Sequence, residues 1–163
     1  MLRFRNRWCK NQLTQAAHRK VTGMEKLHDA FSPELDYTVE EGKAEVDGKA
    51  VLAKVKGEFF FPGGISRNQR YYPKSLWDKV LANEELREKV GNKTLFGTIS
   101  HTQPIDDTAM LEGKISHIVT KLGIDGKGKG IGEALLLDTD AGRVLNTFFR
   151  AGSKMFVSSR ADG

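Results

Sequence analysis

Asp125-Gly126 falls between two strand-like stretches, about Gly113 to Ile124 and about Gly130 to Leu137. Asp-Gly is a favoured hairpin connection because its backbone tolerates the positive φ that tight turns need. The pattern predicts two strands joined by a hairpin turn at this point. Gly126, Gly128, Gly130 and Gly132 cluster at the same place. They lack a Gly-Lys-Ser/Thr ending, and a strand, not a helix, follows them, so they read as a hairpin tip and not as a phosphate loop.

Upstream, Ala50 to Phe61 is rich in branched and aromatic residues and reads as another strand, ended by Pro62-Gly63-Gly64. A loop, Ile65 to Pro73, leads into a helix from about Lys74 to about Val90. Its buried face is Leu76, Trp77, Val80 and Leu81, and Gly91 ends it. A short strand from Thr94 to Ser100 and a polar loop from His101 to Asp107 follow. Thr139 or Asp140 caps a second helix with the apolar stripe Val144, Leu145, Phe148 and Phe149, and Gly152 closes it. The final strand carries Ser158 and Ser159. The expected class is α+β, with two main helices and mostly antiparallel strands that curl into a barrel.

A chain of 163 residues with 39% apolar and 29% charged residues is long enough for a real core. No apolar run approaches the roughly 20 residues that span a bilayer. The single Cys9 excludes an internal disulfide and a cysteine-based zinc site. Residues 1–30 hold seven Lys and Arg against two acids, so the whole formal charge of +5 resides there. Residues 1–48 are expected to be a basic, partly flexible arm with weak capacity for nucleic-acid contact, and 49–163 the folded domain.

The carboxyl end, Met155-Phe156-Val157-Ser158-Ser159-Arg160, raises a chemical question. A serine hydroxyl is a poor nucleophile unless a base accepts its proton, and His101 is the candidate base. Side chains alternate along a strand, so only one of Ser158 and Ser159 can face that imidazole. A metal site on His101, Asp106 and Asp107 has suitable ligand types but no supporting spacing. No cofactor is expected.

Four segments resemble the prohead core proteases of tailed bacteriophages, the myovirus-type branch distantly related to herpesvirus assemblins. They are Arg67-Asn68-Gln69-Arg70-Tyr71-Tyr72-Pro73-Lys74, Leu95-Phe96-Gly97-Thr98-Ile99-Ser100-His101, Leu137 to Leu145, and Ala151 to Arg160. The match runs from about residue 50 to the end. Three positions depart from the family pattern: Thr102 stands for a proline, Phe156 and Ala161 for glycines. The resemblance implies a herpesvirus-protease-type barrel and a serine endopeptidase that processes scaffold and capsid proteins. Its setting would be the assembling prohead in the host cytoplasm.

Carried over by position, the resemblance makes His101 the general base and Ser158 the nucleophile. Ser159 and Arg160 are supporting candidates. The family's third member is an acidic residue on a strand after the Ser-Ser-Arg segment, and this chain ends at Gly163 before such a strand. The barrel is therefore expected to lack its last strand, leaving an edge open to self-association. His117, by analogy with a Ser-His-His arrangement, and Asp106 or Asp107 are the internal candidates for the third role. A non-catalytic scaffold component with the same fold is the rival reading. Ile131-Gly132-Glu133-Ala134 resembles a hydrophobic-x-Glu cleavage site but lies in an expected strand.

Overall fold

A computed structural model describes residues 51–66, 69–100, 102–155 and 157. It also describes the backbone strands Leu2–Arg5 (β1), Lys26–Ala30 (β2), Leu35–Thr38 (β3), Glu45–Val46 (β4), Lys49–Ala50 (β5) and Ser158–Asp162 (β10). The remaining elements are β6 (Ala53–Phe60), α1 (Lys74–Leu81), α2 (Glu84–Gly91), β7 (Phe96–Thr98), α3 (Asp107–Leu111), β8 (Ile115–Ile124), β9 (Gly130–Leu136) and α4 (Asp140–Arg150).

The β8–β9 hairpin forms where its turn residues predict it. Asp125 Oδ1 accepts hydrogen bonds from the amides of Lys127 and Lys129, at 2.8 and 2.9 Å, and Gly128 takes φ +81°. Those amide bonds, the one from Lys129 foremost, hold the Asp125 carboxyl below its ordinary pKa. The hairpin belongs to a five-stranded sheet of order β3-β6-β9-β8-β7, antiparallel at every pairing.

The expected class is α+β and the strands are mostly antiparallel, but the barrel is corrected. Among the described residues this sheet is open, with β3 and the three-residue β7 at its edges. A strand that short has few backbone groups with which to continue a ladder. Among the described residues the expected pair of main helices also becomes four helices. Asn83 interrupts the first one: its side chain accepts from the Leu86 amide at 2.9 Å and starts α2, with Glu84 and Glu85 in the first turn. An amide side chain that satisfies an orphan N–H, next to acids at the positive helix end, favours a new start over continuation. α3 begins at the end of the expected His101–Asp107 loop and runs over residues to which the sequence assigned no element; Asp106 caps it.

One sheet face is apolar. Phe59, Val119 and Ala134 pack with Trp77, Leu86 and Leu95, while Ala53, Val55 and Leu136 pack with Leu145 and Phe149 of α4. Phe60 stacks on Trp77 with ring centroids 4.2 Å apart. A Cβ on Gly132 would come within 2.4 Å of the Phe59 ring, so the glycine makes room for that core aromatic. The opposite face carries charge: Glu133 pairs with Lys54 at 3.1 Å and with Lys121 at 3.6 Å. Glu133 lies in β9, bonded on both sides by β6 and β8, so the cleavage-like Ile131–Ala134 segment sits within the sheet. In α4, Leu145 and Phe149 are buried, whereas Val144 and Phe148, expected in the same stripe, are about half exposed.

Candidate active site

β7 leads directly toward His101, which itself lies outside the described residues. The loop around that position is organised by its neighbours. Thr98 Oγ1 donates to the Ser100 carbonyl at 2.9 Å, and the Ser100 and Thr102 hydroxyls lie 2.9 Å apart. The Thr102 amide also donates to Ser100 Oγ at 3.2 Å. A proline has no N–H and could not make that bond. Thr102, a departure from the resembled pattern, thus ties the two flanks of His101 together.

His117 stands directly opposite Gly97 on one side and Leu136 on the other. Directly opposed residues share a sheet face, so His117 belongs to the apolar face with Leu136. The buried Ser116 donates to the Gly97 carbonyl, and its Oγ lies 2.8 Å from His117 Nδ1. Desolvation holds the His117 imidazole well below its ordinary pKa, so it is neutral near pH 7. Asp106 is engaged as the cap of α3, with Oδ1 accepting from the Ala109 amide at 2.8 Å, and Asp107 lies in that helix's first turn.

The segment before Ser158 crosses the same apolar face. Met155 packs against the cluster that contains Leu136 and Phe149, and Val157 against the cluster that contains Leu95 and Val119. Gly152, at φ +78°, turns the chain out of α4 toward this crossing, and its amide bonds the Phe149 carbonyl. Phe156 lies outside the described residues.

Ser158 then opens β10, the middle strand of a second, three-stranded sheet of order β1-β10-β2. Ser158 is opposite Ala30. Ser159 is opposite Leu2 and Asp29, and Arg160 is opposite Arg3 and His28. Ser158 and Arg160 therefore share one face, and Ser159 the other. Ala161, where the resembled pattern has a glycine, stands opposite Phe4 and Leu27. Sequence reasoning missed β1 and β2 as the neighbours of the serine strand. The available signals were the alternations Leu2-Arg3-Phe4-Arg5 and Lys26-Leu27-His28-Asp29, each too short to stand out within a basic stretch. Among the described residues no group of three or more His, Cys, Asp or Glu could hold a metal ion, and no helix is long and apolar enough to cross a membrane.

No family model and no curated protein matches the chain. Among solved structures, the chain is similar to the capsid assembly protease gp21 of bacteriophage T4, with a TM-score of 0.65 and 22% identity. The likeness covers 83% of this chain and 79% of that one. The chain thus shares the fold of a phage capsid assembly protease.

Proposed function

We propose that this chain is a serine endopeptidase that processes scaffold and capsid proteins while a phage prohead assembles, within the capsid in the host cytoplasm. The observation that carries this reading is the fold likeness to the T4 capsid assembly protease over 83% of the chain. The Ser158-Ser159-Arg160 strand and the Ile99-Ser100-His101 segment supply the chemical types that reading needs.

His101 takes the Ser158 proton as the hydroxyl oxygen attacks the scissile carbonyl. The tetrahedral oxyanion is met by backbone N–H groups, His101 then gives its proton to the leaving amine, and an acyl-enzyme forms. Water, deprotonated by the same imidazole, releases the acid and restores the serine. Ser159, on the other face of β10, and Arg160 act as supports. The same proposal takes residues 49–163 as the catalytic body and the basic 1–48 stretch as its arm with weak nucleic-acid contact, an arm whose strands β1, β2 and β3 pair with β10 and β6.

Labelling with a fluorophosphonate tests the proposal. The wild-type protein should be modified at Ser158, with the label lost in Ser158→Ala and in His101→Ala. A folded wild-type protein that takes no label and cleaves no capsid or scaffold protein would instead be a non-catalytic assembly component.

A further inference from the structure

α3 ends in an apolar knob. It buries Ala109 and leaves Leu111 89% exposed, the most exposed large apolar side chain among the described residues, with Met110 beside it at 51%. A lone exposed leucine needs no cause. This one is held outward by a fixed frame. The Ala109 carbonyl accepts from the Lys114 amide at 2.9 Å, and the carbonyl of Gly113, a residue at φ +67°, accepts from the Ala141 amide of α4 at 3.0 Å. Asp106, Asp107 and Glu112 make the surroundings acidic; Lys114, paired with Glu112, is the only basic residue from 102 to 114.

On the charged face of the sheet, β6, β9 and β8 form a groove of about 440 Å³ toward the hairpin tip. Its floor is Ile131, which stands between Glu58 and Gly123 in register. Gly123 leaves that floor open, since a Cβ built there meets nothing within 4 Å. Positive charge is in surplus along the walls. Lys54 and Lys121 share Glu133, at 3.1 and 3.6 Å, Lys129 takes Glu58, and Lys56 stands opposite Asp36 of β3. Lys121, the more distant partner of Glu133, keeps its side chain 58% exposed.

Knob and groove are complementary: each has an apolar centre, and their rims carry opposite charge. They do not meet within one chain. Eight residues of extended β8 separate Ile115, next to α3, from Gly123, roughly 26 Å at the rise of a strand. We propose that α3 of one copy seats Leu111 over Ile131 in the groove of a second copy, with its acids toward the lysine rim. The contact is heterologous, because two unlike surfaces meet. A nucleic acid fits the groove less well, since Glu58 and Glu133 repel phosphates and an apolar floor offers them nothing.

Sedimentation velocity of the full chain, from micromolar to millimolar concentration, tests the contact. The wild type should associate as concentration rises, and added salt should weaken the association because the rim is charged. Leu111→Asp and Gly123→Val change an exposed and an open position, so both variants should fold. Each should weaken association about tenfold or more, as loss of a central contact does. Mixed together, they should form one-to-one complexes, because one keeps its groove and the other its knob. Phe148→Asp, on the half-exposed face of α4, should associate as the wild type does. A wild type that stays monomeric throughout, association indifferent to salt or to either variant, a mixture that stays monomeric, or loss of association in Phe148→Asp would each overturn the proposal. None of these readouts depends on catalysis, so the hydrolase reading stands or falls separately.

Discussion

Gly142, in the first turn of α4, approaches the Leu137 carbonyl so closely that a Cβ built on it would lie 1.9 Å from that oxygen. The Ser116 carbonyl is 3.1 Å from the same point. Both obstacles are backbone, so neither can rotate away. Gly142→Ala must push α4 off β8, and α4 carries the Leu145 and Phe149 contacts that also receive Met155. The expected cost is about 1–3 kcal/mol, the usual range for overpacking, despite alanine's better helix propensity. Urea unfolding should show a lower midpoint with an unchanged m-value.

Phe60 and Trp77 form the second anchor. Their rings stack at 4.2 Å, Phe60 is 1% exposed, and Tyr72 tilts against the indole with centroids 6.4 Å away. Trp77→Ala should cost about 3–5 kcal/mol, as large-to-small core changes of aromatics do. Trp77→Phe keeps a ring and should cost clearly less. Denaturant titrations of the two variants side by side check the ordering.

These contacts also show what the sequence made legible. Asp125-Gly126, Leu145 with Phe149, and Trp77 announced themselves through turn chemistry and helical spacing, and they are a hairpin tip and two buried anchors. The break at Asn83 was hidden, because a cap residue inside an apolar pattern competes with continuation on a margin of about 1 kcal/mol. The half-exposed Val144 and Phe148 were hidden too, since periodicity gives a stripe but not its width against a particular sheet. Strands β1 and β2 were least legible. Four or five residues that alternate carry almost no signal, and their pairing with Ser158–Asp162 spans the length of the chain. The Ser158 and His101 segments stood out in the sequence as chemical candidates, while the strands beside Ser158 in the sheet did not stand out.

His117 sets a pH dependence whose sign follows from its burial. Desolvation depresses its folded pKa, so the folded protein keeps the ring neutral while the unfolded chain takes a proton near the ordinary value of about 6.5. Below that value the unfolded state binds more protons, and stability falls with pH until the folded pKa is reached. Above it His117 contributes no slope. His117→Gln retains a partner for Ser116 Oγ and should flatten the loss between about pH 6.5 and 5. Equal slopes in wild type and variant across that interval would show that the ring is already solvated in the fold.

Glu133 contributes a second acid-sensitive element on the charged face. Burial alone raises its pKa, but the hydrogen bond and charge of Lys54, with Lys121 and Lys56 nearby, outweigh it and leave the carboxyl lowered. A depressed carboxyl stabilises the fold above its unfolded pKa, and that contribution disappears as pH falls through the folded pKa. Glu133→Gln should therefore be less stable than wild type at neutral pH, by under about 1 kcal/mol because the pair is partly solvated. The gap should close on acidification below about pH 4 and narrow in high salt, which screens the lysines. Paired unfolding curves at neutral and acid pH measure it. A gap that persists in acid would assign the loss to packing in β9 and not to charge.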